Sequence, residues 1–165
     1  SIPVWWWVSN KIGKRKTWLI SSMMTFSFLL LFFFYPIQTL IELLIILALI
    51  GAGSGAGGIL FWSMLPDTIE YGEVKTGIRS ESSLYGFMTF AQKGSIAIAI
   101  GILGFTLNLI GFEPNEVQSE QTISSMKSIM SLIPALGVAI SFVIIYFYPI
   151  DSKKHKELLE QLKNK

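Results

Sequence analysis

The sequence predicts an all-α membrane protein, and three observations predict it. Of the 165 residues, 52% are hydrophobic and 15% charged, with a mean hydropathy of +0.56, whereas a soluble domain carries about 25% charge. The charges are clumped, so that a stretch such as "TWLISSMMTFSFLLLFFFY" holds none. Four segments reach the roughly 20 mostly apolar residues needed to cross a hydrocarbon core about 30 Å thick.

Taken in order, the chain opens at Ser1 in the apolar run "SIPVWWWV", without an initiator Met or a signal-peptide layout. Ser1 is read as lying within or near the end of a helix whose beginning is missing. The first complete span covers about 17–35, after Lys11, Lys14, Arg15 and Lys16, and Pro36 ends it because proline cannot continue the hydrogen-bond ladder. The second covers about 39–65, with Glu42 near its outer end and Pro66 expected to close it. The third covers about 84–110 and contains Lys93. The fourth covers about 126–148 and contains Pro134, and a polar tail fills 149–165, where a short helix is expected from Lys153 onward.

Lysine and arginine placement sets the orientation. Four lie before the first span, two in the 66–83 loop and five in the tail, while Lys127 alone borders the other side. Alternating spans bring these three basic regions to one face, which the positive-inside rule makes cytoplasmic. The tail is therefore expected in the cytoplasm and the 112–125 loop, with Glu113, Glu116 and Glu120, outside. The expected location is a multi-pass protein of the cell membrane, with the lipid bilayer as its surroundings. The net charge of +2 is too small to argue for a nucleic-acid partner. With no cysteine, the chain has no disulfide framework, thiolate metal site or cysteine nucleophile.

The run "GAGSGAGG" fits a G-x-G-x-x-G pattern at Gly53, Gly55 and Gly58. A dinucleotide site needs a preceding strand and a following helix in a βαβ unit. This run lies inside an apolar span, so the glycines serve close helix approach instead, with Gly51 and Gly55 in small-xxx-small spacing.

Lys93 lies about nine residues into its span, roughly 13 Å deep at 1.5 Å per residue. An ammonium there costs at least about 2.5 kcal/mol, so it is expected to face a protein interior or a wet cavity. The plainer reading is snorkelling to the surface, but a lysine stem covers only part of that distance. Thr89, four residues earlier, shares its helix face.

The 66–83 loop alternates charge through Asp67, Glu70, Glu73, Lys75, Arg79 and Glu81. If the second span stays helical past Pro66, Asp67, Glu70 and Glu73 share a face. A solvated loop face is the plainer reading. The functional one is a set of breakable ion pairs that hold the inner helix ends together in one state and release them in another. With His155 in the tail as the one histidine, neither glycosidase nor metal chemistry is expected of these acids. Trp5, Trp6, Trp7, Trp18 and Trp62 fall near span ends, where an aromatic belt is usual. Trp62 is kept as a candidate cavity residue, and Tyr71 and Glu81 are weaker site candidates beside it.

The segment "PDTIEYGEVKTGIRSESSLYGFMTFAQKGSIAIA" resembles the inner loop and eleventh helix of the glycoside–pentoside–hexuronide cation symporters, the family of melibiose permease. "NLIGFEPNEVQSEQT" is similar to that family's following outer loop, and "PVWWWVSNKIGKRKTW" to the inner loop between helices eight and nine. The resemblance implies the C-terminal part of a major facilitator superfamily bundle: four complete transmembrane helices, nine to twelve, plus the end of another. It implies no cofactor and no catalytic residue. It does imply a coupling cation, Na+ or H+, a small sugar as substrate, and a missing N-terminal half that holds most of the cation-binding acids. By the same resemblance Asp67, Glu70, Glu73 and Arg79 match an inner-side charge network, Lys93 a lysine near the cation and sugar region, and Thr89 a position facing the sugar. Glu70 stands where some members have Asp.

The function expected is a fragment of a secondary transporter that couples sugar uptake to a cation by alternating access. The alternatives are a facilitator of a non-sugar solute, or a non-transporting membrane subunit or remnant. An intramembrane enzyme finds no catalytic constellation in the spans.

Overall fold

A computed structural model describes residues 1–163, in the last helix without the side chains of 152, 153, 156, 159, 162 and 163. It contains six α-helices: α1 (Ile2–Ile12), α2 (Lys14–Phe34), α3 (Leu40–Thr76), α4 (Glu81–Leu109), α5 (Glu120–Tyr146) and α6 (Ser152–Lys163). Of these, α2 to α5 are long and apolar enough to cross a membrane.

A single residue, Gly13, separates α1 from α2, so the expected inner loop is helical on both sides of it. Its φ of 88° belongs to the region open to glycine, which lets the chain change direction without a longer connection. Tyr35 and Pro36 stop α2 in extended backbone. A capping box starts α3: the Glu42 N–H donates to Thr39 Oγ1 at 3.3 Å, and the Thr39 N–H donates to Glu42 Oε2 at 3.4 Å.

Pro66 does not end the second span. The helix runs through it to Thr76, giving 37 residues, or about 55 Å, well beyond a hydrocarbon core of about 30 Å. Proline deprives the carbonyl four residues back, on Trp62, of its helix donor, and its ring crowds that turn. The next carbonyl, on Ser63, accepts a bond from Lys14 Nζ at 2.7 Å, so this turn of α3 is supported from α2. Gly77, at φ 73°, closes the helix in the left-handed conformation.

The packed body is α2 between α3 and α5, with α1 laid on α3. One face of α2 buries Thr17, Ser21, Ser22 and Thr25. Ser21 Oγ donates to the Gly53 carbonyl at 2.6 Å, tying the two helices directly. A Cβ at Gly53 would sit 2.9 Å from Thr25 Oγ1 and 3.2 Å from its backbone nitrogen, so glycine is what permits this approach. The close pair is not Gly51 with Gly55: Gly51 has nothing within 4 Å, and Gly55 meets Trp5 of α1 and Ser1, the residue before that helix. Trp5 likewise leaves the expected aromatic belt. It is buried with Ala56, Leu60 and Met64, and its indole N–H donates to the Ala52 carbonyl at 2.7 Å. Trp6 and Trp7 remain exposed.

α4 is different. It buries none of its residues and touches the body mainly along α3. A groove of about 480 Å³ parts it from α5, between Ile98 and Ile102 on one wall and Met130 and Pro134 on the other. A second, of about 440 Å³, parts it from α2 and α3, between Met88 and Gln92 on one wall and Trp18 and Trp62 on the other.

Candidate functional site

The contacts bring the start of α2, the end of α3 and α6 to one end of the bundle. The opposite end carries Tyr35, Glu42 and Lys127, whose ammonium donates to the Tyr35 carbonyl at 2.6 Å. The three basic regions of the sequence thus share an end.

At that shared end Asp67 is buried, and Lys14 Nζ lies 2.8 Å from each of its carboxylate oxygens. His155, from α6, puts Nε2 2.8 Å from Glu70 Oε2 and 3.5 Å from Asp67 Oδ1. Continuing α3 past Pro66 makes this arrangement, since Asp67 and Glu70 then sit about 60° apart on the helix. Leu158 of α6 and Ile150 just before it are buried, and so hold the tail helix near α3. Thr68 Oγ1 and Tyr148 Oη lie 3.2 Å apart beside the cluster. Burial pushes the Tyr148 phenol above its ordinary range and the Asp67 charge adds to this, while the Thr68 hydrogen bond opposes it.

The three acids expected on one face divide into two sets. Glu73, about 120° round from Asp67, turns instead to Arg79, whose Nη1 donates to Glu73 Oε2 at 3.1 Å and whose Nε donates to Glu81 Oε2 at 3.1 Å. The Glu81 bond leads in raising the guanidinium further above its usual range. This second set spans the turn between α3 and α4 and is open to solvent. Tyr71 lies beneath Lys75, with Nζ 5.1 Å from the ring centroid.

Lys93 is exposed, and among the described residues it has no hydrogen bond or ion pair. It sits twelve residues into α4, roughly 18 Å along a helix of about 43 Å. Ser95 lines both grooves, and Lys93 lies about 160° round the helix from it, on the side turned from the packed body. Thr89 shares that side, and its hydroxyl donates to the Tyr85 carbonyl at 2.8 Å. Trp62 is half-exposed, stands edge-on to Phe61 at 5.3 Å, and lines the α3–α4 groove.

Sequence reasoning missed two members of the inner cluster. Lys14 was visible only as part of a basic run that marked topology, and His155 lies 85 residues from Glu70 with nothing local to link them. Asp67, Glu70 and His155 could each offer a ligand atom to a metal ion, all within 4.8 Å of one another. Lys14 already sets a positive charge against both Asp67 oxygens. The arrangement is suited to holding and releasing helix ends through charge pairs.

A family model described as "MFS/sugar transport protein" matches residues 1–152. A glucuronide carrier protein homolog of Escherichia coli K12 is 36% identical over 94% of this chain and 34% of its own length. An uncharacterized symporter of Bacillus subtilis 168, YnaJ, is 28% identical over 93% of this chain and 33% of its own. An Escherichia coli K12 protein whose name assigns it sulfoquinovose import is 36% identical over 62% of this chain and 22% of its own. The chain spans about a third of the length of the first two relatives.

Proposed function

This chain belongs to the MFS/sugar transport family, among the glycoside–pentoside–hexuronide symporters, and on that premise we propose that it forms the C-terminal part of a secondary transporter. The family is one of transporters, not enzymes. The transporter couples entry of a glycoside or related sugar to Na+ or H+ by alternating access, working with an N-terminal half that lies outside this chain. It sits in the cell membrane with its tail in the cytoplasm. Relatives named for a glucuronide and for sulfoquinovose support a sugar derivative as the solute.

The observation that carries this reading is the inner cluster. Alternating access needs a closure at one end that is specific yet breakable. Lys14 with Asp67, and His155 with Glu70, tie α2, α3 and α6 together at one end through polar pairs. Such pairs lose little when water enters and replaces each partner, unlike an apolar seal. Arg79 with Glu73 and Glu81 links α3 to α4 at the turn between them. Lys93 and Thr89 then lie nearer the membrane centre, where the solute and cation pass.

The test is uptake by the full-length protein in proteoliposomes, with a panel of glycosides and sugar acids under an imposed Na+ or proton gradient. Accumulation of at least one sugar that collapses with the gradient is the expected result. Absence of sugar-dependent accumulation under both gradients overturns the reading.

A further inference from the structure

The inner end of the bundle divides by charge. Acids gather there on α3, in Asp67 and Glu70. Residues 1–41 and 121–150 hold no Asp or Glu, so the charged groups that α1, α2 and α5 bring to this end are all basic. α2 opens on Lys14, Arg15 and Lys16, with no acid in its first turn. Lys14 turns inward to Asp67, and Lys16 is exposed. Arg15 reaches α5, where its Nη2 donates to the Tyr146 carbonyl and its Cζ lies 5.9 Å from the centroid of the Tyr146 ring. Tyr146 and Phe147 are themselves exposed.

An apolar cleft starts from the same place. α2 and α5 run antiparallel, with Arg15 against Tyr146 and, one turn on, the Trp18 indole N–H donating to Ser141 Oγ at 3.1 Å. The next turn parts the two helices over a groove of about 310 Å³, between Ser22 and Met23 on α2 and Ala139 and Phe142 on α5. Ser22 and Met23 follow Arg15 and Lys16 by one heptad, which puts them about 10 Å further along the helix and within about 20° of the same face. Ala139 and Tyr146 stand in the same relation on α5. A pair of positive charges, exposed aromatic rings and an apolar cleft thus follow one another along the two helices. That is the order of phosphate, interface and acyl chain in a phospholipid.

We propose that this cleft binds an anionic phospholipid, with the phosphate at Arg15 and Lys16 and an acyl chain between α2 and α5. The planar guanidinium fork matches phosphate oxygens, and the ammonium adds a second positive charge beside it. Each basic residue near an anionic membrane surface strengthens the attraction about fivefold. Tyr146 and Phe147 sit where interfacial aromatic rings meet headgroups. A zwitterionic lipid offers the same phosphate without net charge, so the basic pair tells the two apart. With the tail in the cytoplasm, this is a site in the inner leaflet. The inference needs the chain to span a membrane and is independent of the solute carried.

The experiment is native mass spectrometry of the full-length protein in detergent, titrated with phosphatidylglycerol or with phosphatidylcholine of the same chains. The native protein is expected to bind phosphatidylglycerol at least about fivefold more tightly. Replacing both Arg15→Gln and Lys16→Gln should bring the two lipids within about twofold of each other. Ala139→Phe fills the cleft and keeps both basic residues, and should weaken phosphatidylglycerol at least about fivefold. Melting temperatures without added lipid check that the variants are folded. If the double variant is not, Lys16→Gln alone, at an exposed position, should lower the preference at least about twofold. A native protein without the preference, as when another part of the transporter fills the cleft, overturns the site. So does a preference untouched by the basic substitutions, or one that survives Ala139→Phe and so reflects surface charge alone. Displacement of the lipid by an equal concentration of soluble glycerol phosphate would assign the basic pair to a free phosphate and overturn the lipid. None of these outcomes bears on sugar uptake.

Discussion

α2 and α4 are both apolar enough to cross a bilayer, yet α2 is walled in and α4 is bare. A third of the most apolar stretch of α2 is buried, and none of that of α4. Hydrophobicity does not separate them, because lipid satisfies an apolar side chain as well as a neighbouring helix does. What separates them is close packing and interhelical bonding. α2 offers a buried Thr/Ser face, a hydroxyl to the Gly53 carbonyl and an indole N–H from Trp18 to Ser141 Oγ at 3.1 Å. α4 carries glycines at 86, 94, 101 and 104, and a Cβ at any of them would meet nothing within 4 Å. The lesson is that the packed body of this chain is specified by small and polar contacts between helices, while the hydroxyls of α4 bond within α4 itself.

The sharpest way to break that contrast is to remove one lysine from each region. Lys14→Met leaves the buried Asp67 carboxylate without its ammonium, which is expected to cost about 3 kcal/mol. Lys93→Met removes a charge with no partner in this chain, and is expected to cause no loss of stability. Denaturant unfolding of the full-length protein in detergent micelles reads both. Equal losses would mean that α4 is held as tightly as α2 by parts of the protein outside this chain.

Next in size is a glycine pair. Gly53→Val drives a branched side chain against Thr25, whose backbone would be 3.2 Å from the new Cβ, and should cost about 2 kcal/mol. Gly101→Ala adds a Cβ into open space and should be neutral, or stabilising by up to about 1 kcal/mol from helix propensity. Melting curves of the two variants side by side check this. A mild Gly53→Val would show that α2 and α3 can part without loss.

The sequence made the spans legible because length, hydropathy and charge clumping are local properties. Spacing put Asp67, Glu70 and Glu73 on one face only on condition that the helix continued, and a charge network was implied by the family resemblance rather than by spacing. Pro66 misled, because its helix-ending effect is weaker in a membrane helix packed against neighbours, which tolerates the one lost backbone bond. The split between Asp67 with Glu70 and Glu73 with Arg79 required knowing that the helix continued. Trp5 misled for a related reason: its place near a presumed span end marked it for the interface, while its indole found a carbonyl 47 positions away. His155 was invisible as a site residue, since a tail histidine acquires meaning only where α6 docks. Each failure came from a contact distant in sequence, and each success from a pattern within one turn or one span.

The smallest effect tests whether the α3–α4 turn is a structural clamp or a loose tie. Arg79 is solvent-exposed and bridges Glu73 and Glu81 across a turn whose backbone is already fixed by Gly77 in the left-handed conformation. Exposed pairs of this kind contribute little to global stability and are screened by salt. Arg79→Gln is therefore expected to leave the melting temperature within about 2 °C of native. It should nevertheless speed amide hydrogen exchange at the first turns of α4, where Glu81 loses its tether. Native protein in about 1 M salt should approach the exchange rates of the variant, because the Debye length there is only about 3 Å. If exchange in this turn is unchanged by both the substitution and the salt, α4 is anchored at its inner end by Gly77 and its own helix start, and the ion pairs are incidental to its position.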